Sequence, residues 1–304
     1  MKYFKTKANR TSPRYEITAG IFEKVTDHKY PFEQRNADQT ISQFGICPSC
    51  LNPIQLIGIS KEIKRTPYGK HTGKNIKGLA NWQQIKYKYC PYAARNDRRE
   101  INDEEFLPEI TEDITELYNL LKNQFDRVVY VISKELDIRC SAAFWKGVLQ
   151  QYLANTAYCY PWLTEANLPY IFAYIGMRHR NVYGQEFLVG SDLYNALKKH
   201  KYVNFCSSND NSNKYVHLTS INGFLNLEFR FTGHTQKAVN GETLKESMVF
   251  CVDDLTSGDT VFKKRIEFSE NYFMNIINKS GNESKRQKVL LGISEELMPP
   301  LQVV

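Results

Sequence analysis

The middle of the chain carries the hydrophobic spacing of α-helices. Apolar residues recur every three or four positions after Thr111, at Ile114, Leu117, Leu120 and Leu121. This spacing places them on one helical face, and the acidic residues of the first turn suit the positive end of the helix dipole. The pattern therefore predicts a helix from Thr111. The branched residues of Val128–Val131 fit either its continuation or a short strand.

Further helices are predicted up to about residue 200. Ser141 is a suitable N-cap for a second helix that ends near Pro161. Residues 164–200 are interpreted as more helix, with Ser191 as another cap. The longest apolar stretch, Leu168–Met177, has about half of the ~20 residues that a membrane span needs. It is therefore interpreted as a buried helix, and no membrane span is expected.

The last third of the chain predicts an antiparallel sheet, because short alternating segments are separated by turn residues. The predicted strands are Tyr202–Cys206, Tyr215–Thr219, Phe224–Thr232, Met248–Val252 and Val261–Phe268. Asn240-Gly241 is the strongest hairpin signal, since both central positions of such a turn need positive φ. After a helix at Ser269–Ile277, the final residues, with Pro299-Pro300, are predicted to be extended.

Charge divides the chain near residue 100. From Lys61 to Arg99, 11 Lys or Arg residues stand against two acidic residues, a local net charge of +9 in a chain of net charge +7. Residues 101–116 then carry acidic residues only. We therefore predict an α+β protein with three regions. These are a basic N-terminal zinc-knuckle module at 1–100, a mainly helical middle at 101–200, and an antiparallel β-sheet-rich third with a C-terminal helix and tail at 201–304.

Three cysteines and one histidine in the basic module predict a metal site. Cys47-Pro48-Ser49-Cys50 has the spacing at which two thiolates converge on one tetrahedral ion. Cys90 begins a similar turn, in which Ala93 stands where a second cysteine would be. With His71, these residues would form a closed, structural Zn²⁺ site without an open position for water. The alternatives are a degenerate ribbon that keeps its cysteines as core residues and a redox CxxC pair.

The cysteine count also bears on location. Seven cysteines, an odd number in 304 residues, favour a reducing compartment over a disulfide scaffold. No secretory signal is evident at the N-terminus, so a cytoplasmic location is expected. The cysteines outside the metal set are expected to be buried thiols, namely Cys140, Cys159, Cys206 and Cys251. Abundant Asn, Lys, Ile and Tyr are typical of AT-rich coding sequences and favour a mobile-element or antiviral-defence setting.

The basic module also predicts a surface for nucleic acid, DNA or RNA. Its cations alternate with tyrosines and Trp82, and such charges neutralise phosphates while aromatic faces stack on bases. The predicted contacts are Lys64, Arg65, Lys70, Lys74, Lys77, Lys86, Lys88, Arg95, Arg98 and Arg99. The alternative is that this face docks on the acidic stretch 103–116 or on an acidic protein partner, and any one of the aromatic residues can instead belong to the module's own core.

Catalytic motifs are weak. Glu62 and Lys64, with Asp38 upstream, form the short ExK pattern of metal-dependent nucleases. Asp253 with Asp254 is a carboxylate pair that can hold a hard cation, and solvation of a turn at a strand end explains it equally well. No nucleotide fingerprint or nucleophile elbow is present. The leading hypothesis is a zinc-stabilised nucleic-acid-binding protein. The alternatives are a metal-dependent enzyme that acts on nucleic acid, and a partner-binding or inhibitor protein with a purely structural zinc.

Overall fold

The computed structural model describes residues 1–9, 12–36, 38–59, 66–88, 90, 92–93, 106–107, 110–208, 214–221, 225–239, 243–269, 271–278 and 285–301. Within these residues the protein is a mixed α/β structure with eight α-helices. The helices are α1 (Ala19–Thr26), α2 (Gln84–Lys88), α3 (Glu112–Leu136), α4 (Ala142–Ala154), α5 (Leu168–Gly176), α6 (Asp192–Lys198), α7 (Tyr272–Asn278) and α8 (Lys288–Leu297). A short 3₁₀ helix follows α4 at Ala157–Cys159.

The strands described in the same residues form small antiparallel sheets. Those of the N-terminal part are β1 (Tyr3–Phe4), β2 (Tyr15–Glu16), β3 (Glu33–Arg35), β4 (Ile41–Ile46), β5 (Pro53–Ile57) and β6 (Tyr68–His71). The others are β7 (Ile138–Arg139), β8 (Arg180–Asn181), β9 (Glu186–Leu188), β10 (Val203–Ser207), β11 (Tyr215–Ser220), β12 (Leu227–Val239), β13 (Thr243–Asp254) and β14 (Asp259–Glu267). The sheet orders are β1-β2, β3-β4-β5-β6, β10-β11-β9-β7 and β14-β13-β12-β8.

The chain divides into two compact units. Unit 1 contains residues 1–99 and 236–245, and unit 2 contains residues 100–235 and 246–304. Each unit has its own core of buried apolar side chains, which in unit 1 includes Phe4, Phe22 and Ile54. The finer division into regions at 1–100, 101–200 and 201–304 stays a prediction.

Unit 1 is built on the sheet β3-β4-β5-β6. Five of the six residues of β4 are buried, and β5 pairs with it from Gln43↔Leu56 to Ile46↔Pro53. The strand β6 pairs with β5 on the other side, with Ile54 opposite His71. The strands β4 and β6 both finish at the same end of the sheet, so the turn after β4 lies close to the last residue of β6.

The long helix of unit 2 follows its hydrophobic spacing. The helix predicted from Thr111 is confirmed as α3, which continues through Val128–Val131, so the strand alternative is wrong. Gln124 departs from helical geometry inside it (φ −125°, ψ 19°). The predicted caps are confirmed, because the hydroxyls of Ser141 and Ser191 accept hydrogen bonds from backbone N–H groups three residues on.

Three sequence expectations for unit 2 need correction. The strands β8 and β9 interrupt the helix predicted over 164–200, because their backbones pair with β12 and with β7 and β11. The helix α4 ends at Ala154, well before Pro161. Part of the C-terminal segment predicted as extended forms α8, which buries Leu290 and Ile293, whereas Pro299 and Pro300 follow this helix and belong to no helix or strand. The hairpin turn at Asn240-Gly241 lies outside the described residues.

The apolar stretch Leu168–Met177 forms a helix of the core, as expected. Every residue of α5 is buried. In the part of the chain that the structure describes, no helix is both long and apolar enough to span a bilayer.

Candidate metal centre

A tight turn between β4 and β5 presents the first two sulfurs. The N–H of Cys47 donates to the carbonyl of Asn52 (2.8 Å), and the N–H of Leu51 donates to the carbonyl of Cys47 (3.1 Å). Leu51 has a left-handed backbone (φ 58°). These bonds fold the chain back between two paired strands, so that the thiols of Cys47 and Cys50 lie on one side of the turn.

The other two ligand groups come from separate segments. His71 ends β6, and its neighbour Thr72 is tied by its N–H to the carbonyl of Pro53 (3.2 Å). Cys90 follows α2 and donates its N–H to the carbonyl of Tyr87 (3.0 Å). At the position where a second cysteine would complete the motif, Ala93 packs against the core of unit 1.

The ligand atoms of Cys47, Cys50, His71 and Cys90 all lie within 4.8 Å of one another. The sulfurs of Cys47 and Cys90 are 3.7 Å apart, and the His71 Nε2 atom lies 3.2 Å from the Cys50 sulfur and 3.6 Å from the Cys90 sulfur. A tetrahedral Zn²⁺ with ordinary bond lengths separates two sulfurs by about 3.8 Å and a sulfur from a nitrogen by about 3.6 Å. The four residues are thus positioned to hold a metal ion.

Burial favours a structural role for such an ion. The three cysteines are buried, with Cys47 wholly inaccessible, and His71 is partly buried. Four protein ligands complete a tetrahedron, which leaves no position for substrate or reactive water. The donor set of three sulfurs and one imidazole is one that suits zinc.

Burial and mutual hydrogen bonds shift the pKa values of the three cluster thiols. Burial raises the pKa of Cys47 and of Cys90 well above the usual thiol range. Burial also acts to raise the pKa of Cys50, but the hydrogen bonds from Cys47, Cys90 and His71 outweigh it and lower that pKa well below the usual range. Burial therefore disfavours three neighbouring thiolates that lack a counter-charge, and a cation is the partner that would stabilise them.

Asn52 makes hydrogen bonds that support the cluster of ligand residues. Its side-chain Nδ2 donates to the sulfur of Cys50 (3.4 Å) and to the carbonyl of Gln83 (3.0 Å), while its Oδ1 accepts from the N–H of Gln83 (2.6 Å). The residue is 1% exposed. Asn52 thus joins the cysteine turn to the segment that leads to Cys90. Sequence reasoning missed it, because a polar residue after a cysteine pair carries no periodic signal.

Aromatic rings cover the imidazole. Tyr87 and Trp82 contact the His71 ring edge-on, with centroids 5.0 and 6.2 Å away, and they pack on each other at 4.9 Å. The Trp82 Nε1 donates to Gln84 (3.0 Å). These two rings therefore belong to the packing of the cluster.

The lysines predicted to contact nucleic acid differ in exposure. Lys70, Lys74, Lys77 and Lys88 are exposed, whereas Lys86 is only 6% exposed. Between residues 66 and 93 the chain carries five lysines and no acidic residue. The remaining predicted contacts lie outside the described residues, namely Lys64, Arg65, Arg95, Arg98 and Arg99.

The carboxylates considered for catalysis have other partners or lie elsewhere. Asp38 accepts hydrogen bonds from the N–H and hydroxyl of Thr40 (3.0 and 2.6 Å). Asp253 pairs with Arg230, and Asp254 accepts from the N–H of Thr256 (2.8 Å). The pair Glu62 and Lys64 lies outside the described residues. The described carboxylates thus stabilise turns and ion pairs.

The cysteines outside the cluster are not all buried. Cys159 and Cys251 are buried and Cys140 is partly so, but Cys206 is exposed. Cys206 lies on the edge strand β10, where Phe205 contacts the core and the next side chain points to the opposite face. The expectation of burial is therefore wrong for Cys206.

Comparison with known proteins adds no relative. No protein-family model, curated protein or solved structure matches this chain.

Proposed function

We propose that unit 1 is a zinc-stabilised module that binds nucleic acid. The observation that carries the proposal is the convergence of three thiols and one imidazole within 4.8 Å, two of them in the stretch 66–93, which has five lysines and no acidic residue. Zinc would hold together the turn, the edge strand and the end of α2. Structural zinc contributes on the order of 10 kcal/mol to the folding of small modules.

Charge supports nucleic acid as the partner. Lys70 lies next to a ligand in the sequence, and Lys88 lies two residues before another, so the metal fixes the backbone that carries both. Phosphate contacts by lysine release counterions, which makes affinity fall with salt concentration. Four phosphate contacts, one for each exposed lysine, would give a slope of log K against log[salt] of about −3 to −4.

The experiment measures zinc and nucleic-acid binding on the same protein samples. Metal content is determined by mass spectrometry for the wild type, His71→Ala and Cys90→Ala, with Cys206→Ala as a matched control outside the cluster. We expect about one zinc per chain in the wild type and the control, as a four-ligand site holds one ion, and loss in the other two.

Binding to labelled nucleic acid is then followed at several salt concentrations. The expected result is a salt-sensitive affinity that falls when zinc is lost, with a slope reduced by about 0.9 in Lys70→Ala or Lys77→Ala. Zinc bound without any affinity for nucleic acid would leave a structural metal in a partner-binding protein and would refute the proposed function.

A further inference from the structure

An exposed tyrosine of unit 1 is held in a fixed position beside a lysine. Tyr30 is 59% exposed, yet its hydroxyl donates to the backbone carbonyl of Lys77 (2.9 Å). Its ring lies against Gly78, where an added Cβ would come within 2.7 Å of the ring. Gly78 also has a positive φ of 77°, which favours glycine. The ring is therefore ordered although most of it faces solvent.

A second exposed tyrosine lies on β6. Tyr68 is 46% exposed, and it shares one face of the strand with Lys70 because side chains two residues apart point to the same side. Across the sheet, Tyr68 is opposite Ile57 and Lys70 is opposite Gln55. Tyr68 and Lys70 thus form a second pair of an exposed ring and a lysine.

The two pairs border the same face of the sheet. Gln34 of β3 lies opposite Ser42, and Gln55 donates to the hydroxyl of Ser42 (3.2 Å), so these three residues share the face of Lys70. The Gln34 side chain also donates to the carbonyl of Lys77 (3.3 Å), which accepts the hydrogen bond from the Tyr30 hydroxyl as well. Three strand spacings separate the edge strands, roughly 14 Å.

These two rings differ from the aromatic residues of the metal cluster. Trp82 and Tyr87 pack around His71 and supply core contacts. Tyr30 and Tyr68 present their surface to solvent at the border of a basic segment. Aromatic faces next to cations are the surfaces on which unpaired bases stack, whereas the bases of a duplex are already stacked on each other.

We infer that Tyr30 and Tyr68 are stacking platforms for unpaired bases and that the ligand of unit 1 is single-stranded nucleic acid. The inference rests on the proposed function and narrows its ligand class. Lys70 and Lys77 contact the phosphates that flank the stacked bases.

The test uses the zinc-loaded full chain and three probes: labelled oligothymidylate, oligouridylate and a DNA duplex, each of about 20 nucleotides or base pairs, longer than one typical site. The variants are Tyr30→Ala and Tyr68→Ala. Tyr30→Phe keeps the ring and removes the hydroxyl, and Tyr183→Ala removes a tyrosine of unit 2 that is 50% exposed. Zinc content and thermal melting verify that each variant is folded.

We expect the single strands to bind more tightly than the duplex, and each alanine variant to lose about 5-fold to 150-fold in affinity for single strands only. Tyr183→Ala should stay within about twofold of the wild type. Tyr30→Phe keeps the stacking face but loses the hydroxyl bond to Lys77, so it should lose less affinity than Tyr30→Ala. A preference for oligothymidylate or oligouridylate would identify DNA or RNA as the source of the unpaired bases, and equal affinity supports recognition of the bases alone.

Two results would overturn the inference in different ways. Salt-sensitive binding that is as strong for the duplex as for single strands, and unchanged in Tyr30→Ala and Tyr68→Ala, would refute base stacking and leave the proposed function intact. Absence of binding to all three probes by the zinc-loaded wild type would refute both.

Discussion

Replacement of Asn52 by alanine is the most direct test of how the metal centre is supported. Asn52 is the buried residue that bonds both to a ligand sulfur and to the segment leading to Cys90. Alanine removes the amide without introducing bulk. The perturbation therefore isolates the polar contacts behind the cluster from its ligands.

The expected magnitude has two parts. The two hydrogen bonds to Gln83 contribute about 1 kcal/mol each, and a buried polar group left without a partner adds about 1–3 kcal/mol. A loss of about 3–5 kcal/mol in the free energy of unfolding is thus expected with or without zinc. The contact to the Cys50 sulfur acts on the metal instead, and loss of such a supporting contact lowers metal affinity by about 10-fold to 100-fold.

Two assays separate these parts. Competition with a chromophoric chelator gives the zinc affinity, and urea denaturation of the apo and zinc-loaded forms gives the two stabilities. Asn36→Ala is the matched control, because its amide also makes two hydrogen bonds in unit 1, to Thr40 and Ser42 (2.8 and 2.9 Å), away from the sulfurs. The control should keep the zinc affinity of the wild type.

Zinc affinity of Asn52→Ala within about twofold of the wild type would refute a supporting role for Asn52. Such a result would mean that the ligands hold their positions without the N–H···S contact. An equal loss of zinc affinity in Asn36→Ala would show that the effect is a general weakening of unit 1.

Three further predictions concern other parts of the protein. Gly176→Ala should lower the free energy of unfolding by about 1–3 kcal/mol, because the new Cβ would meet a backbone oxygen of α4 at 2.9 Å. Gly292→Ala should instead raise stability by up to about 1 kcal/mol in the same urea titration, because nothing lies within 4 Å of its added Cβ. The hydrogen bond from Arg230 lowers the pKa of Asp253. This carboxylate therefore stabilises the fold above its unfolded pKa, and the contribution disappears as pH falls through the lowered value. Acid titration of Asp253→Asn, followed by circular dichroism, should show a weaker loss of stability than that of the wild type. A thiol reagent should label Cys206 first in the zinc-loaded protein, and mass spectrometry after chelation should show three more labelled cysteines; labelling of the cluster at the same rate before chelation would contradict a bound metal.

The helices α3, α4 and α6 of unit 2 could be predicted from the sequence because their signals are local. Ser141 and Ser191 cap helices whose apolar residues recur at helical spacing. The strands β8 and β9 could not be predicted in this way. Each has only two or three residues and exists because of partners distant in the sequence, such as Phe229 opposite Arg180. The spacing of apolar residues along the sequence cannot reveal a pairing between strands that are distant in the sequence.

The candidate metal site shows the same difference between features with a local sequence signal and features that depend on distant residues. Thiols and an imidazole at short spacing indicate a metal from chemistry alone, and the structure brings the four predicted residues together. The contributions of Asn52 and Tyr30 depend on contacts with residues 31 and 47 positions away, Gln83 and Lys77. Their roles can be read only from the folded chain.

The spacing of the ligands has a consequence for how this segment can change. His71 is 21 residues from Cys50 and 19 residues from Cys90, so a bound ion closes two long loops of the chain. The entropy of closing a loop grows slowly with length, by about 0.6 kcal/mol for each doubling. Insertions that leave the pairing of β5 with β6 and the contacts of Lys77, Gln83 and Tyr87 in place should therefore keep the centre intact, while an insertion between Cys47 and Cys50 should destroy it.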